Sequence, residues 1–275
     1  MIAAFGSFER ISFSRMDMHK AIGRWLGATC LLGVLLLGGC TPLPAIYQVS
    51  TLQALMQGAY EGQIACRDLR RYGTLGIGTF DALDGELILL DGQVYQAKAD
   101  GQVLRNPSTT TPFANVVRFE PQIVLRNVGG PLSLEQLQAM LDSKTGSKNL
   151  FYAVRIDGQF SQMKVRSVPR QTPPYPSLAE AAKEQRVFDL QHVRGTLVGF
   201  RFPDYARGVN MPGWHLHFIS DDRRSGGHVL DLLGNQLDVQ LQTIRRFEMT
   251  LPDSGTFVTA DLGKDLSREI HQVEK

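Results

Sequence analysis

Residues 213–231, G-W-H-L-H-F-I-S-D-D-R-R-S-G-G-H-V-L-D, constrain the fold more than any other stretch of the chain. They carry three of the six histidines, His215, His217 and His228. Side chains alternate along a strand, so a His-x-His pair puts both rings on one face. Trp214, Leu216 and Phe218 then point the other way, into a core. Asp221, Asp222, Ser225, Gly226 and Gly227 have the composition of a turn. A second strand starting near His228 would return beside the first and bring a third imidazole to the same face. Three neutral imidazoles with one position left open are how a protein holds a catalytic zinc or a similar divalent ion. The alternative from spacing alone is a half-solvated hairpin with incidental histidines.

The composition, 43% hydrophobic and 20% charged with a net charge of +2, is that of an ordinary globular chain. Acids and bases are interspersed, with no arginine-rich helix, which argues against a nucleic-acid partner. The first residues read as a leader. Lys20 and Arg24 precede an apolar run over 25–37 that ends in Leu37-Gly38-Gly39-Cys40. This is the pattern of a secretory signal, too short and glycine-rich for a comfortable membrane span. The tetrapeptide resembles the bacterial lipobox, in which the cysteine is lipidated and becomes the first mature residue. An ordinary cleaved signal and an uncleaved anchor remain open. The expected organisation is a signal over 1–39, with Met16 or Met18 as the true start, and then a tether over 40–49 containing Pro42 and Pro44. A lipidated Cys40 would leave Cys66 without a disulfide partner, so packing must stabilise the domain. The protein is then exported, periplasmic or cell-surface, and meets a membrane only through its lipid.

Beyond the tether, residues 50–57 read as a short helix capped by Ser50 or Thr51. Residues 74–97 read as strand, turn, strand, a tight Asp91-Gly92 hairpin and strand. Residues 87–90 are apolar on both faces, as in a central strand. Glu86, at the entry of that strand, is either a solvated strand end or a carboxylate aimed into a site. Residues 109–119 give another turn and strand, continued over 122–126. Residues 133–141 form a helix, capped by Ser133, with Leu134, Leu137, Met140 and Leu141 as its apolar stripe. Residues 150–156 and 160–168 form a hairpin over Asp157-Gly158. On its second arm Arg166 is either a solvated cation or a fork for a carboxylate. Pro169, Pro173, Pro174 and Pro176 mark the boundary between two halves, 50–170 and 171–275. A short helix over 177–185 with a Ser177–Glu180 capping box, a strand over 193–202, the histidine hairpin, a long strand or hairpin over 237–249 and a terminal helix over 262–273 complete the chain. The fold class is α/β of the α+β kind, two sheet-rich halves with few short helices. A faint echo between the glycine-marked strands of the halves reads as a duplicated unit.

Several motifs then coincide with one family. G-I-G-T-F-D-A-L-D-G-E-L-I-L-L-D-G-Q-V-Y-Q, T-T-T-P-F-A, F-Y-A-V-R-I-D-G, V-R-G-T-L-V-G-F and H-L-H-F-I-S-D-D-R-R-S-G-G-H-V-L-D resemble, in order, those of α-acetolactate decarboxylase. The resemblance runs from about residue 50 to the end. It implies a zinc enzyme that converts 2-acetolactate to acetoin and carbon dioxide, usually as a homodimer. It places His215, His217 and His228 on the metal and Glu86, Arg166, Glu274 and Thr79 in the active site. Two other classes stay open at this point. A cupin-like metal oxygenase or isomerase would share the His-x-His pattern, although cupins bring their last histidine from far downstream. A non-enzymatic metal- or solute-binding lipoprotein would close the ligand set.

Overall fold

The computed structural model describes residues 43–266 and 268–270. Cys40, Glu274 and the stretch read as a signal lie outside the described residues. Fifteen strands carry the fold: β1 (Ala45–Val49), β2 (Ile64–Ala65), β3 (Leu75–Thr79), β4 (Glu86–Leu90), β5 (Gln93–Ala97), β6 (Val103–Arg105), β7 (Thr110–Thr111), β8 (Ala114–Val117), β9 (Ile123–Val128), β10 (Leu132–Ser133), β11 (Phe151–Ser167), β12 (Arg186–Phe202), β13 (Gly213–Ser220), β14 (Gly226–Ile244) and β15 (Arg246–Thr250). With only short helices between them, the chain is an α+β protein.

A first sheet has the order β15-β1-β8-β3-β4-β5-β6. All its pairings are antiparallel except β1 with β15. The expected Asp91-Gly92 turn joins β4 to β5, and every residue of the central strand β4 is buried. A second sheet has the order β10-β14-β11-β12-β13, with β9 against β14. Strand β13 also pairs back onto β14, His217 opposite His228. Strands β14, β11, β12 and β13 therefore close on themselves at the end where the histidines sit.

Two apolar layers follow from strand alternation. Ile156, Phe160, Val165, Leu216, Phe218 and Val239 fill the inside of the closed second sheet. The helix Leu134–Lys144 covers that core with Leu137 and Leu141. Each fully buried leucine contributes about 1.5–3 kcal/mol. Ser133 caps this helix as expected, within a capping box: Ser133 Oγ accepts from Gln136 N, and Gln136 Oε1 accepts from Ser133 N. Ile77, Ile88, Val198, Phe200 and Ile219 form a layer between the two sheets, and the functional residues lie at the rim of this layer.

Four expectations give way. Residues 45–49, expected within a tether, are strand β1, paired with both β8 and β15. Residues 150–168 are not a hairpin but one 17-residue strand. Asp157 pairs with Thr196 and Gly158 with Gly195, so β11 runs straight through the supposed turn. Arg155 and Thr196 hold the Asp157 carboxylate, and a Cβ on Gly158 would lie 2.5 Å from Leu237 Cδ2. That glycine serves close packing rather than a turn. The proline cluster divides no halves either, since β11 before it and β12 after it are neighbours in one sheet. Finally, residues 262–266 are not helical, and residues 268–270 are.

Candidate metal centre

Strand β13 presents His215 and His217 on its outer face, while Trp214, Leu216 and Phe218 enter the core of the closed sheet. The ladder sets their height: Phe200 opposes His215, Val198 opposes His217, and His228 opposes His217 across the hairpin. His215 Nε2 lies 3.2 Å from His217 Nε2 and 3.0 Å from His228 Nδ1. One ligand nitrogen from each ring lies within 4.8 Å of the others. Nitrogens at the corners of a tetrahedron about 2.0–2.1 Å from its centre would be about 3.3 Å apart. The three rings fit a small divalent ion.

Their electrostatics agree. His217 Nδ1 is 2.9 Å from the carbonyl of Leu87. A carbonyl can only accept, so the proton sits on Nδ1 and the Nε2 lone pair faces the other rings. Burial, reinforced by the Arg166 charge, lowers the His215 pKa to about 3. Burial, then the neighbouring His215 and Arg166, lowers His217 well below its ordinary value against the Leu87 contact, which raises it. Neutral imidazoles are the form that ligates a metal.

The first sheet supplies the other side. Strands β3 and β4 place Thr79 opposite Glu86, both facing the second sheet. Glu86 is 7% exposed and Arg166 4%, so neither is the solvated side chain that spacing alone allowed. Arg166 Nη1 donates to Glu86 Oε1 at 3.1 Å, and Glu86 Oε2 lies 3.6 Å from His217 Nε2. Thr79 Oγ1 donates to the carbonyl of Gly85 at 2.7 Å. The β3–β4 turn is strained, with Ala82 and Leu83 both left-handed at φ 58° and 57°. Two bonds hold it there, Ala82 N to the Tyr60 carbonyl and Gln171 N to the Ala82 carbonyl. Such strain persists where the surroundings over-determine it.

The cavity over the histidines has an apolar wall that sequence reasoning missed: Leu52, Leu55, Leu83, Phe113, Val168 and Leu178. Leu83 left one signal, a large apolar residue within a turn otherwise made of Asp81, Ala82, Asp84 and Gly85. The others come from separate elements and left none. The structure thus brings Thr79, Glu86, Arg166, His215, His217 and His228 to one cavity. Among the described residues these three histidines form the one cluster of metal-ligating side chains.

The pattern described as Alpha-acetolactate decarboxylase matches residues 46–264. An Alpha-acetolactate decarboxylase of Methanosarcina mazei is 49% identical over 231 residues, 84% of this chain and 80% of the relative. One of Methylococcus capsulatus is 44% identical over 232 residues, 83% of this chain and 88% of the relative. The crystal structure of acetolactate decarboxylase from Bacillus subtilis subspecies spizizenii superposes with a TM-score of 0.81 at 38% identity, covering 84% of this chain and 100% of that one.

Proposed function

The chain belongs to the α-acetolactate decarboxylase family and is an acetolactate decarboxylase, a carboxy-lyase, and we propose that it works with a zinc ion held by His215, His217 and His228. The family membership displaces the cupin-like and non-enzymatic readings. The observation that carries the zinc is the convergence of three imidazole nitrogens beside a buried carboxylate and a buried guanidinium. A three-histidine set with room for substrate oxygen suits zinc.

The substrate, 2-acetolactate, bears a hydroxyl, a carboxylate and a ketone around one carbon, and losing carbon dioxide leaves an electron pair that must be stabilised before acetoin forms. When bound, zinc supplies Lewis acidity where that charge develops. Arg166 presents a planar fork that orients the departing carboxylate or helps deliver the proton. Glu86 holds the Arg166 guanidinium from the opposite sheet and is placed to hold or pass a proton beside the histidines. Thr79 anchors the turn that carries Glu86 through its bond to Gly85. Glu274 joins this set on the family resemblance. The apolar wall excludes water and accommodates the methyl groups. Protonation from one face makes the acetoin chiral.

The same reading extends to place and assembly. Lys20, Arg24, the apolar run and Leu37-Gly38-Gly39-Cys40 support export with a lipid on Cys40, and the family resemblance supports a homodimer. Acetoin release from racemic 2-acetolactate tests the central reading. Activity should vanish with a chelator and return with added zinc; full activity in chelator-treated, metal-free protein would overturn it.

A further inference from the structure

Three consecutive residues, the last two of β11 and the one after it, reach across to the other sheet. Arg166 donates to the Glu86 side chain at 3.1 Å. Ser167 Oγ donates to the carbonyl of Ala97 at 2.8 Å. The carbonyl of Val168 accepts from Gly85 N at 3.1 Å. All three land on one point of the first sheet, because Ala97 is the register partner of Glu86 and Gly85 precedes it in the chain. Ser167 itself is 0% exposed.

Strand β11 needs such an anchor here. Its pairing with β14 is irregular between Lys164 and Val165 and ends at Arg166 opposite His228. Its pairing with β12 ends at Ser167 opposite Arg186. The two ladders that fix the strand elsewhere therefore stop where the guanidinium must be aimed. A long side chain leaving a strand end is placed only as well as its Cα is placed.

We propose that Ser167 is a positioning residue: its hydroxyl, bonded to the Ala97 carbonyl, holds the end of β11 against β5 and so aims the Arg166 guanidinium at Glu86 and the cavity. The inference rests on the reading that Arg166 serves the reaction. Ser167 does not line the cavity; it acts through Arg166. Its loss shows in catalysis and not in metal content, because the three histidines stand on β13 and β14.

A double-mutant cycle tests this on the full enzyme, with kcat/KM and zinc stoichiometry measured for Ser167→Ala in the parent and in an Arg166→Lys background. In the parent, Ser167→Ala lowers kcat/KM by about tenfold, as removal of a supporting hydrogen bond does, and leaves zinc stoichiometry unchanged. In the Arg166→Lys background, which keeps a charge and a measurable rate but no fork, the same change costs less than about twofold. An equal loss in both backgrounds, no loss in the parent, or loss of zinc overturns the proposal. Unchanged activity in Arg166→Lys alone would instead overturn the role of Arg166. Where Ser167→Ala is too unstable to purify, Ser167→Cys carries the same cycle, since it keeps the volume and weakens the donor.

Discussion

The two sides of the cavity are built by opposite means. On one side, β13 carries His215 and His217 in an unbroken ladder with β12, where alternation alone decides which way each ring points, and the short β13–β14 pairing sets His228 opposite His217. On the other, Glu86 follows a turn with two left-handed non-glycine residues, and Arg166 sits where the ladders of β11 run out. Regular backbone fixes the ligand set cheaply and redundantly. The acid and the guanidinium depend on a strained turn, one glycine and bonds that cross between the sheets. Substitutions on the histidine side should therefore act through the imidazoles they remove, whereas on the other side changes that spare every functional side chain should still disturb the site.

The largest expected effect is on the regular side. His217→Ala removes a ligand nitrogen, and both bound metal and acetoin formation should fall below detection; retained stoichiometry with full activity would break the contrast. Next comes Arg166→Lys, which should lower turnover by about a hundredfold with metal retained, because a point charge does not reproduce a planar fork. Gly85→Ala sharpens the comparison further. Gly85 has φ +87°, and a Cβ there would lie 2.4 Å from the Ala97 carbonyl. The substitution should destabilise the protein by about 1–3 kcal/mol and reduce turnover without emptying the metal site. Denaturant unfolding beside metal analysis would show a wrong reading as unchanged stability.

Acid should act through the imidazole cluster. In the metal-free protein His215 titrates near 3, against about 6.5 in an unfolded chain. The folded state binds the proton less well, so the neutral ring's contribution is complete above about pH 6.5 and is lost as pH falls toward 3. Melting temperature followed over that range should fall less steeply for His215→Ala than for the parent; parallel curves would count against a neutral His215. The smallest effect belongs to Tyr60, whose buried hydroxyl has no hydrogen-bond partner among the described residues. Tyr60→Phe should leave stability within about 0.5 kcal/mol or raise it slightly.

The same contrast explains what the sequence made legible. His-x-His, the glycine-rich turn and His228 obey period two, so the convergence of the three imidazoles was readable from local pattern, as were the Asp91-Gly92 hairpin and the Ser133 cap. Asp157-Gly158 misled because a turn-forming pair was used for packing under Leu237 and for binding Arg155 and Thr196. The burial of Glu86 and Arg166 could not be read from spacing, since each is covered by the opposite sheet, and their roles came from resemblance. The proline cluster looked like a boundary because composition shifts there, while the strands on either side pair over their whole length. Cavity residues such as Leu52 and Leu178 are 126 positions apart in sequence numbering and meet only in three dimensions.

X-ray absorption at the zinc edge of the purified, active enzyme tests the central claim most directly. The account predicts one zinc per chain with three imidazole nitrogens at about 2.0–2.1 Å, and a shell that loses a nitrogen in His217→Ala. Full acetoin formation by enzyme without zinc, or a zinc shell without imidazole nitrogen, would contradict it.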